Sequence, residues 1–264
     1  MYFVAISVRL RFTQPDAPLT AADGPHAHAV IMHALTDEDP DAGRVLHDTR
    51  RDKRVTIALV DNNIQGAVLR LTFFAENGLA YAQTLMTSLA TRSCLRLGNR
   101  ICLIDAVSLE EQPWGGIATW ADLWKEKPCR HMVFNFAAPT AISKYGADGR
   151  WMALYPDPGD LFAGLARRWR ALDGPTLPDD LDEVVRTGGC VVSSYDLKTK
   201  TFHVTNRTQI GFQGRVAYEC RTESISHVVA LNALSRLAPF VGIGYQTARG
   251  MGVTLTTVSD GMRP

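Results

Sequence analysis

The sequence lacks the cysteine pairs that mark disulfide frameworks and cysteine zinc sites. Its cysteines stand at positions 94, 102, 129, 190 and 220, an odd number with no CxxC pair among them. Scattered cysteines of this kind argue against a small secreted domain held by disulfides and against a zinc site built from thiolates. They fit a reducing compartment, and we therefore expect a cytoplasmic protein.

Long apolar runs and a strong charge imbalance are missing as well. No stretch approaches the roughly 20 apolar residues that a membrane-spanning helix needs, so no membrane partner is expected. The first segment, MYFVAISVRLRF, alternates apolar and polar residues and carries Arg9 and Arg11, which predicts a strand and not a signal peptide. Because the formal net charge is only +1, any affinity for nucleic acid must come from a local basic patch.

Familiar motifs for cofactors and metals are absent or incomplete. There is no GK[ST] Walker loop and no HExxH zinc motif, and Thr247 stands where a dinucleotide fingerprint needs its third glycine. His26, His28, His33 and His47 cluster early in the chain, a composition that can hold zinc. His26 and His28, however, point to different sides of one predicted helix, which disfavours a shared metal. We predict neither a metal nor a cofactor.

The sequence does contain a regular succession of strand and helix patterns in its first half. Apolar residues at alternate positions of residues 2–12 indicate a half-buried strand. The order β-α-β-β-α-β is that of a ferredoxin-like unit. The predicted elements are this strand, a helix in DGPHAHAVIMHAL, a short helix from Asp39-Pro40, strands near 55–60 and 66–75, a helix near 78–91 and a strand near 101–109.

The second half repeats this alternation after a join in WGGIATWADLWKEKP. The fold class expected is α+β, with two tandem ferredoxin-like (RRM-like) domains that have antiparallel sheets, at residues 1–126 and 127–264. The predicted elements are a strand in HMVFNFAAPTAIS, a helix in DLFAGLARRWRAL, strands at 189–196, 201–205 and 209–221, a helix in SISHVVALNALSRL and a final strand in VTLTTV.

A glycine-rich segment, GIGYQTARGMG at 242–252, lies between the last predicted helix and the last strand. One interpretation is a tight helix-to-strand connection that needs glycine for its backbone angles. The other is a cradle in which glycines let an RNA backbone approach main-chain N–H groups, while Arg249 adds a charge-assisted contact to phosphate. Composition alone leaves these two interpretations open.

This segment resembles the C-terminal glycine-rich loop of the RAMP superfamily, and more closely that of the CRISPR-associated endoribonucleases that cut precursor CRISPR RNA within its repeats. IGFQGRVAYE, FNFAAPTAIS, WMALYPDPGDLFAGLARRW and HAVIMHALTDEDPDAGRVLHD are similar to segments of the same family in the same order. The resemblance spans nearly the whole chain. It implies two ferredoxin-like domains and CRISPR repeat RNA as the partner.

Candidate catalytic residues follow from the same resemblance. Many members carry a histidine in an LH context downstream of a proline and a lysine six residues on, and His47 and Lys53 match that arrangement. A histidine near neutral pKa beside cations suits metal-free RNA cleavage by the 2′-OH, which leaves a 2′,3′-cyclic phosphate and a 5′-hydroxyl. Met32 stands where a member of the family has a tyrosine, so neighbouring His33 is the candidate third catalytic residue.

The predicted RNA-binding residues are basic or lie at the glycines of the loop, and a second class of function remains open. A non-catalytic RAMP subunit that holds crRNA in an effector complex would use the same loop but would not need His47 with Lys53. The sequence leaves open a homodimer or a place in an effector complex. The predicted RNA contacts are Arg50, Arg51, Arg54, Gly242, Gly244, Arg249, Gly250, Gly252 and Arg215.

Overall fold

The computed structural model describes residues 1–13, 18–48, 54–146, 149–204 and 207–260. The chain divides into two compact units. The boundary predicted between residues 126 and 127 stays a prediction for the limits of the two domains. The first unit consists of Met1–Ala118, Thr201–Gln209 and Gln246–Met251, and the second of Thr119–Lys200, Ile210–Tyr245 and Gly252–Pro264.

The first half of the chain forms an antiparallel sheet with three helices. The sheet has the order β2-β3-β1-β5-β4, and β6 pairs with β1, so β1, β2, β3 and β5 have the ferredoxin-like arrangement that the sequence predicts. The hairpin of β4 with β5 was not predicted. The strands are β1 (Tyr2–Phe12), β2 (Val55–Val60), β3 (Gly66–Phe73), β4 (Cys94–Leu97), β5 (Arg100–Ser108) and β6 (Gly116–Thr119), and the helices are α1 (Gly24–Glu38), α2 (Pro40–Asp48) and α3 (Gly78–Ala90).

Capping residues fix where α1 and α2 begin. Thr20 and Asp23 form a capping box on a 3-10 turn at Ala21–Asp23, which leads directly into α1. Asp39 ends α1 through its N–H bond to the Leu35 carbonyl (2.8 Å), and its side chain accepts from the Ala42 amide (2.9 Å) at the start of α2. The predicted cap at Asp39-Pro40 is therefore confirmed, and it places His47 in the last turn of α2.

One arginine of the first unit is buried in the sheet and is not available to a ligand. Arg70 on β3 is 2% exposed, and its Nε donates to the Trp114 carbonyl (3.0 Å). Burial lowers the pKa of Arg70 to about 10, so the side chain still carries its charge at neutral pH. The indole of Trp114 in turn donates to the Asp61 carboxylate. This network belongs to the core of the first unit.

The second unit repeats the ferredoxin-like arrangement, with the order β10-β11-β7-β12. Two predictions need correction: the strands at 189–196 and 201–205 form one continuous strand, and the strand in HMVFNFAAPTAIS divides at Ala141. The elements are α4 (Trp120–Leu123), β7 (His131–Thr140), β8 (Ile142–Gly146), β9 (Gly149–Ala153), α5 (Pro158–Ala171), α6 (Leu181–Val184), β10 (Cys190–Val204), β11 (Arg207–Cys220), α7 (Ile225–Val241) and β12 (Thr254–Ser259).

The core of the second unit contains an apolar stripe of α5, the helix predicted in DLFAGLARRWRAL. Leu161, Leu165, Trp169 and Leu172 are all buried, as the helical spacing requires. The Trp169 ring lies 4.6 Å from that of Trp120, measured between centroids, and its Nε1 donates to the Pro175 carbonyl (2.7 Å). None of the helices in the described ranges is both long and apolar enough to cross a membrane.

Candidate nucleic-acid interface

The glycine-rich segment is hydrogen-bonded to the edge of the first unit's sheet. Ile57 of β2 donates its N–H to the Thr247 carbonyl (3.0 Å) and accepts at its carbonyl from the Gly250 amide (2.8 Å). β2 is the end strand of the sheet, so residues 246–251 occupy backbone groups that would otherwise be unpaired. Ala248 is 3% exposed and belongs to the core cluster of this unit. Residues 246–251 of the segment are thus an integral part of the first unit.

The N-terminus of α1 also lies against this segment. A Cβ built on Gly24 would lie 2.3 Å from the Arg249 carbonyl oxygen and 2.6 Å from the Gly250 Cα, so no larger residue fits at position 24 without displacing the backbone. Glycine at the first residue of α1 therefore permits the close approach of helix and loop. β2 and α1 together fix residues 246–251 on the first unit.

The conformation of the segment accounts for its glycines. Gly242, Gly244, Gly250 and Gly252 all have positive φ, between 69° and 97°. In the second unit the Gly252 amide donates to the Pro139 carbonyl (3.0 Å) at the end of β7. These backbone angles fit the interpretation as a tight helix-to-strand connection that needs glycine. That interpretation is compatible with contact between the segment and RNA. Arg249 is exposed and forms no ion pair with any described acidic residue.

The histidine and basic segment, residues 47–54, connects α2 to β2. His47 is the penultimate residue of α2, and Arg54 immediately precedes β2, where its carbonyl accepts from the Phe74 amide (3.0 Å). The predicted residues Arg50, Arg51 and Lys53 lie outside the described residues. Arg54 is three positions before Ile57, which is about 10 Å along a strand. The segment therefore enters β2 close to Ile57, the residue that is hydrogen-bonded to the glycine-rich segment.

His33, the candidate third catalytic residue, lies on the exposed side of α1. Its Nδ1 is 2.9 Å from Asp37 Oδ1, one helical turn further on. Asp37 Oδ2 also lies 3.2 Å from Nη2 of Arg92. Met32, its neighbour, is 6% exposed and packs in the core. The side chain of His33 is therefore already engaged at the surface, and its catalytic role stays a prediction.

Arg215 is exposed on β11, opposite Asn135 of β7. The residue before it, Gly214, has a φ of 131° at an irregularity in the β11–β7 register. A Cβ on Gly214 would lie 2.2 Å from the Asp196 carbonyl oxygen. β11 therefore has an irregular register just before Arg215, and this sets the position of Arg215 on the strand.

The second unit contains a basic cleft that the sequence does not predict. It has a volume of about 570 Å³, and its lining includes Tyr145, Arg167, Arg186, Gly244 and Tyr245. These residues come from four separate stretches of the chain, and no motif connects them. The only sequence signal is the group of arginines on the polar face of α5, a pattern that is also typical of a solvated surface.

No cluster of three His, Cys, Asp or Glu side chains that could hold a metal ion is found within the described ranges. The glycine-rich segment and the cleft offer backbone groups and arginine side chains. Such groups suit the binding of phosphate.

Comparison with protein families gives a match that agrees with this geometry. Residues 134–254, which include the basic cleft and the glycine-rich segment, match the family model of the CRISPR-associated endoribonuclease Cas6. Over this stretch, which is just under half of the chain, the sequence is similar to Cas6. This confirms the resemblance to RAMP-type repeat-processing proteins that the sequence indicates. No curated protein matches the chain.

Solved Cas6 structures share the fold over almost the whole chain. Cas6 (TTHB231) of Thermus thermophilus, in a product complex, is 22% identical with a TM-score of 0.83, and the match covers 97% of this chain and 100% of that one. Cas6 (TTHA0078), also in a product complex, is 24% identical with a TM-score of 0.78 and the same coverage. A Cas6-related protein of Pyrococcus furiosus is 12% identical with a TM-score of 0.64, and the match covers 97% and 98% of the two chains. The fold prediction of two tandem ferredoxin-like domains is confirmed.

Proposed function

We propose that this protein is an endoribonuclease that cuts precursor CRISPR RNA within its repeats. The observation that carries the proposal is the attachment of the glycine-rich segment to β2 and α1. It puts exposed Arg249 on the same unit as the histidine and basic segment, which enters β2 three residues before the attachment point. A loop that can hold an RNA backbone thus neighbours a segment whose residue types can cleave it.

The matched proteins support the substrate class. Cas6 (TTHA0078) has been solved in a substrate mimic complex, and both Cas6 proteins named above in product complexes. A further matched structure is a RAMP protein that binds different RNA substrates. The family model is itself that of an endoribonuclease. These descriptions favour RNA cleavage over the binding of a nucleotide cofactor.

The chemistry we propose needs no metal. His47 acts as the general base that takes the proton from the 2′-OH, or as the general acid that protonates the leaving 5′-oxygen. The 2′-oxygen attacks the adjacent phosphorus, and the bond to the 5′-oxygen breaks. Lys53 stabilises the negative charge that develops on the phosphate, and His33 is the candidate for the remaining proton transfer. The products are a 2′,3′-cyclic phosphate and a 5′-hydroxyl.

The RNA contacts divide into two groups. The first group is cationic: we expect Arg50, Arg51, Arg54 and Arg249 to contact the RNA backbone, with Arg215 on β11 as a further candidate. Gly242, Gly244, Gly250 and Gly252 let the strand approach the main chain. Contacts of this type position the backbone, whereas the choice of repeat comes from stem shape and from bases near the cut.

The test is cleavage of a CRISPR repeat RNA in EDTA. We expect full activity in EDTA, no cleavage of an RNA with a 2′-deoxy nucleotide before the cut, and a loss of at least about 100-fold in His47→Ala. His131→Ala, which changes a histidine of the second unit, is the matched control and should remain active. Cleavage of the 2′-deoxy RNA would refute the proposed chemistry, and loss of activity in EDTA would require a metal. Repeat RNA that is bound but never cut would favour the non-catalytic RAMP subunit.

A further inference from the structure

The basic cleft of the second unit has three walls and a base. Its walls are the hairpin of β8 and β9, which carries Tyr145, helix α5, which carries Arg167, and the turn after α6, which carries Arg186. The base is the start of the glycine-rich segment, at Gly244 and Tyr245. All of these residues belong to one unit. A volume of about 570 Å³ lies within the roughly 300–1,000 Å³ that is usual for small-ligand sites, so it can hold one nucleotide.

The charges in this cleft are arranged to receive an anion. Arg167 and Arg186 are exposed and pair with no acidic residue in the described part of the chain. Asp160 is the one described acidic residue in the lining, and its carboxylate is 2.6 Å from Nζ of Lys144. Arg168 is engaged elsewhere, since it donates to the Val241 carbonyl. The cleft therefore presents two guanidinium groups whose charge is not neutralised locally.

Several other arginines of the protein are paired with a carboxylate. The pairs are Arg9 with Glu111, Arg11 with Asp105, Arg44 with Asp41, Arg92 with Asp37 and Arg170 with Asp182. With a net charge of +1, local pairing leaves little general attraction for an anion. Unpaired arginines that face one cleft therefore mark a place where anion binding is concentrated.

The backbone of the base adds a hydrogen-bond donor. Gly244 has a φ of 81°, and a Cβ on it would lie 2.3 Å from the Ala141 carbonyl oxygen. The amides on both sides are used, Ile243 to the Gly252 carbonyl (2.9 Å) and Tyr245 to the Ala141 carbonyl (2.9 Å). The Gly244 amide makes no backbone hydrogen bond to a described residue. It is thus a donor in the lining of a basic cleft.

Aromatic rings complete the arrangement. Tyr145 lines the cleft and is 79% exposed, which is rare for a large ring and leaves its face free to stack. Arg150, its partner across the hairpin, lies over the Tyr245 ring, 4.3 Å from Cζ to the centroid, and so fixes that side of the cleft. An exposed ring beside unpaired cations is the combination by which proteins bind single-stranded nucleic acid.

We propose that this cleft binds an unpaired nucleotide of the RNA, outside any base-paired stem. Arg167, Arg186 and the Gly244 amide hold the phosphates, and Tyr145 stacks on the base. The inference rests on the proposed function for the identity of the strand as RNA substrate. It adds a binding site for single-stranded RNA to the loop and basic segment of the first unit.

The test is fluorescence anisotropy with an unstructured RNA of about ten nucleotides. Arg167→Ala with Arg186→Ala is expected to weaken binding about tenfold and to reduce the slope of log Kd against log salt by about 1.4, for two phosphates at about 0.7 each. Tyr145→Ala is expected to weaken binding at least about fivefold. All three side chains are exposed, so unchanged circular dichroism and Tm are expected.

Matched controls come from the same unit. Arg170→Ala removes an arginine of α5 that is paired with Asp182 and does not line the cleft, and Tyr195→Ala removes a ring that is 66% exposed but lies outside it. Both should bind as the wild type does. Equal losses in the controls, or no loss in the cleft variants, would overturn the proposal. So would equally tight binding of 5′-AMP, because that would make the cleft a mononucleotide site.

Cleavage separates this inference from the proposed function. A repeat hairpin trimmed of its unpaired flanks should be cut by the cleft variants at the wild-type rate, whereas a flanked repeat should show a raised KM. If the wild type cuts no RNA but the cleft variants still bind single-stranded RNA more weakly than the wild type, the proposed endoribonuclease activity is refuted. The binding site is then supported independently. If the trimmed hairpin is also cut poorly by the cleft variants, the cleft is not a separate single-strand site and the inference fails.

Discussion

At the scale of single residues, glycines decide where backbone segments can meet. Gly24 is the clearest case, because it lies outside the glycine-rich segment and has no unusual φ of its own. The need for glycine arises from the carbonyl of Arg249 and the Cα of Gly250, which occupy the space of a Cβ. The sequence shows Gly24 only as the residue before Pro25 at a helix start. A close approach between residues more than two hundred positions apart leaves no local pattern to read.

We predict that Gly24→Ala destabilises the protein, although alanine is the better helix former. The added methyl must displace the Arg249 carbonyl, an overpacking cost of about 1–3 kcal/mol. Urea denaturation measures this effect, and RNA affinity should fall with it. Gly164→Ala is the matched control, since a Cβ on this α5 glycine meets nothing within 4 Å. There the gain in helix propensity should raise the free energy of unfolding by up to about 1 kcal/mol. Equal effects at both positions would contradict the packing argument.

At the scale of elements, periodicity predicted most of the fold. The ferredoxin-like order of both halves, the cap at Asp39 and the buried stripe of α5 follow from patterns that are local in the sequence. The sequence predicts two strands in place of β10 because Lys198, Thr199 and Lys200 are polar and interrupt the alternation. Pairing with β11 keeps these exposed residues within one strand. The hairpin of β4 was missed because four residues are too few for a period to show.

The glycine-rich element was identified but its docking was not. Its attachment consists of two backbone hydrogen bonds to Ile57, and backbone hydrogen bonds leave no pattern of side chains in the sequence.

The attached element leaves Arg249 exposed. We predict that Arg249→Ala weakens binding of repeat RNA roughly tenfold, about 1.4 kcal/mol. The salt slope should fall by about 1, as for one lost phosphate contact. Arg44→Ala, an exposed arginine paired with Asp41, is the control. Unchanged affinity in Arg249→Ala would remove the loop from the interface.

At the scale of the whole molecule, the first unit is not continuous in sequence. Residues 246–251 pair with the edge of its sheet through β2 and contribute Ala248 to its core. Residues 201–209 belong to it as well. The sequence predicted two domains in succession because each half has its own strand and helix pattern. Which distant segment completes which core depends on packing, so a division into consecutive domains could not include these returns.

This discontinuity predicts the behaviour of a fragment. Met1–Ala118 alone has an unpaired edge at β2 and a gap where Ala248 packs, so we expect it to unfold at a lower urea concentration than the full chain, or to aggregate. A synthetic peptide of residues 242–252, added in excess, should bind β2 and raise the midpoint, because a ligand of the native state stabilises it by mass action. The same peptide with its order scrambled is the control. A fragment as stable as the full chain, or one that responds equally to both peptides, would mean that the returning segment contributes nothing specific. With the expected result, the loop that resembles an RNA cradle is also the segment that completes the unit carrying His47. Binding of RNA at the loop and the stability of the first unit would then be coupled.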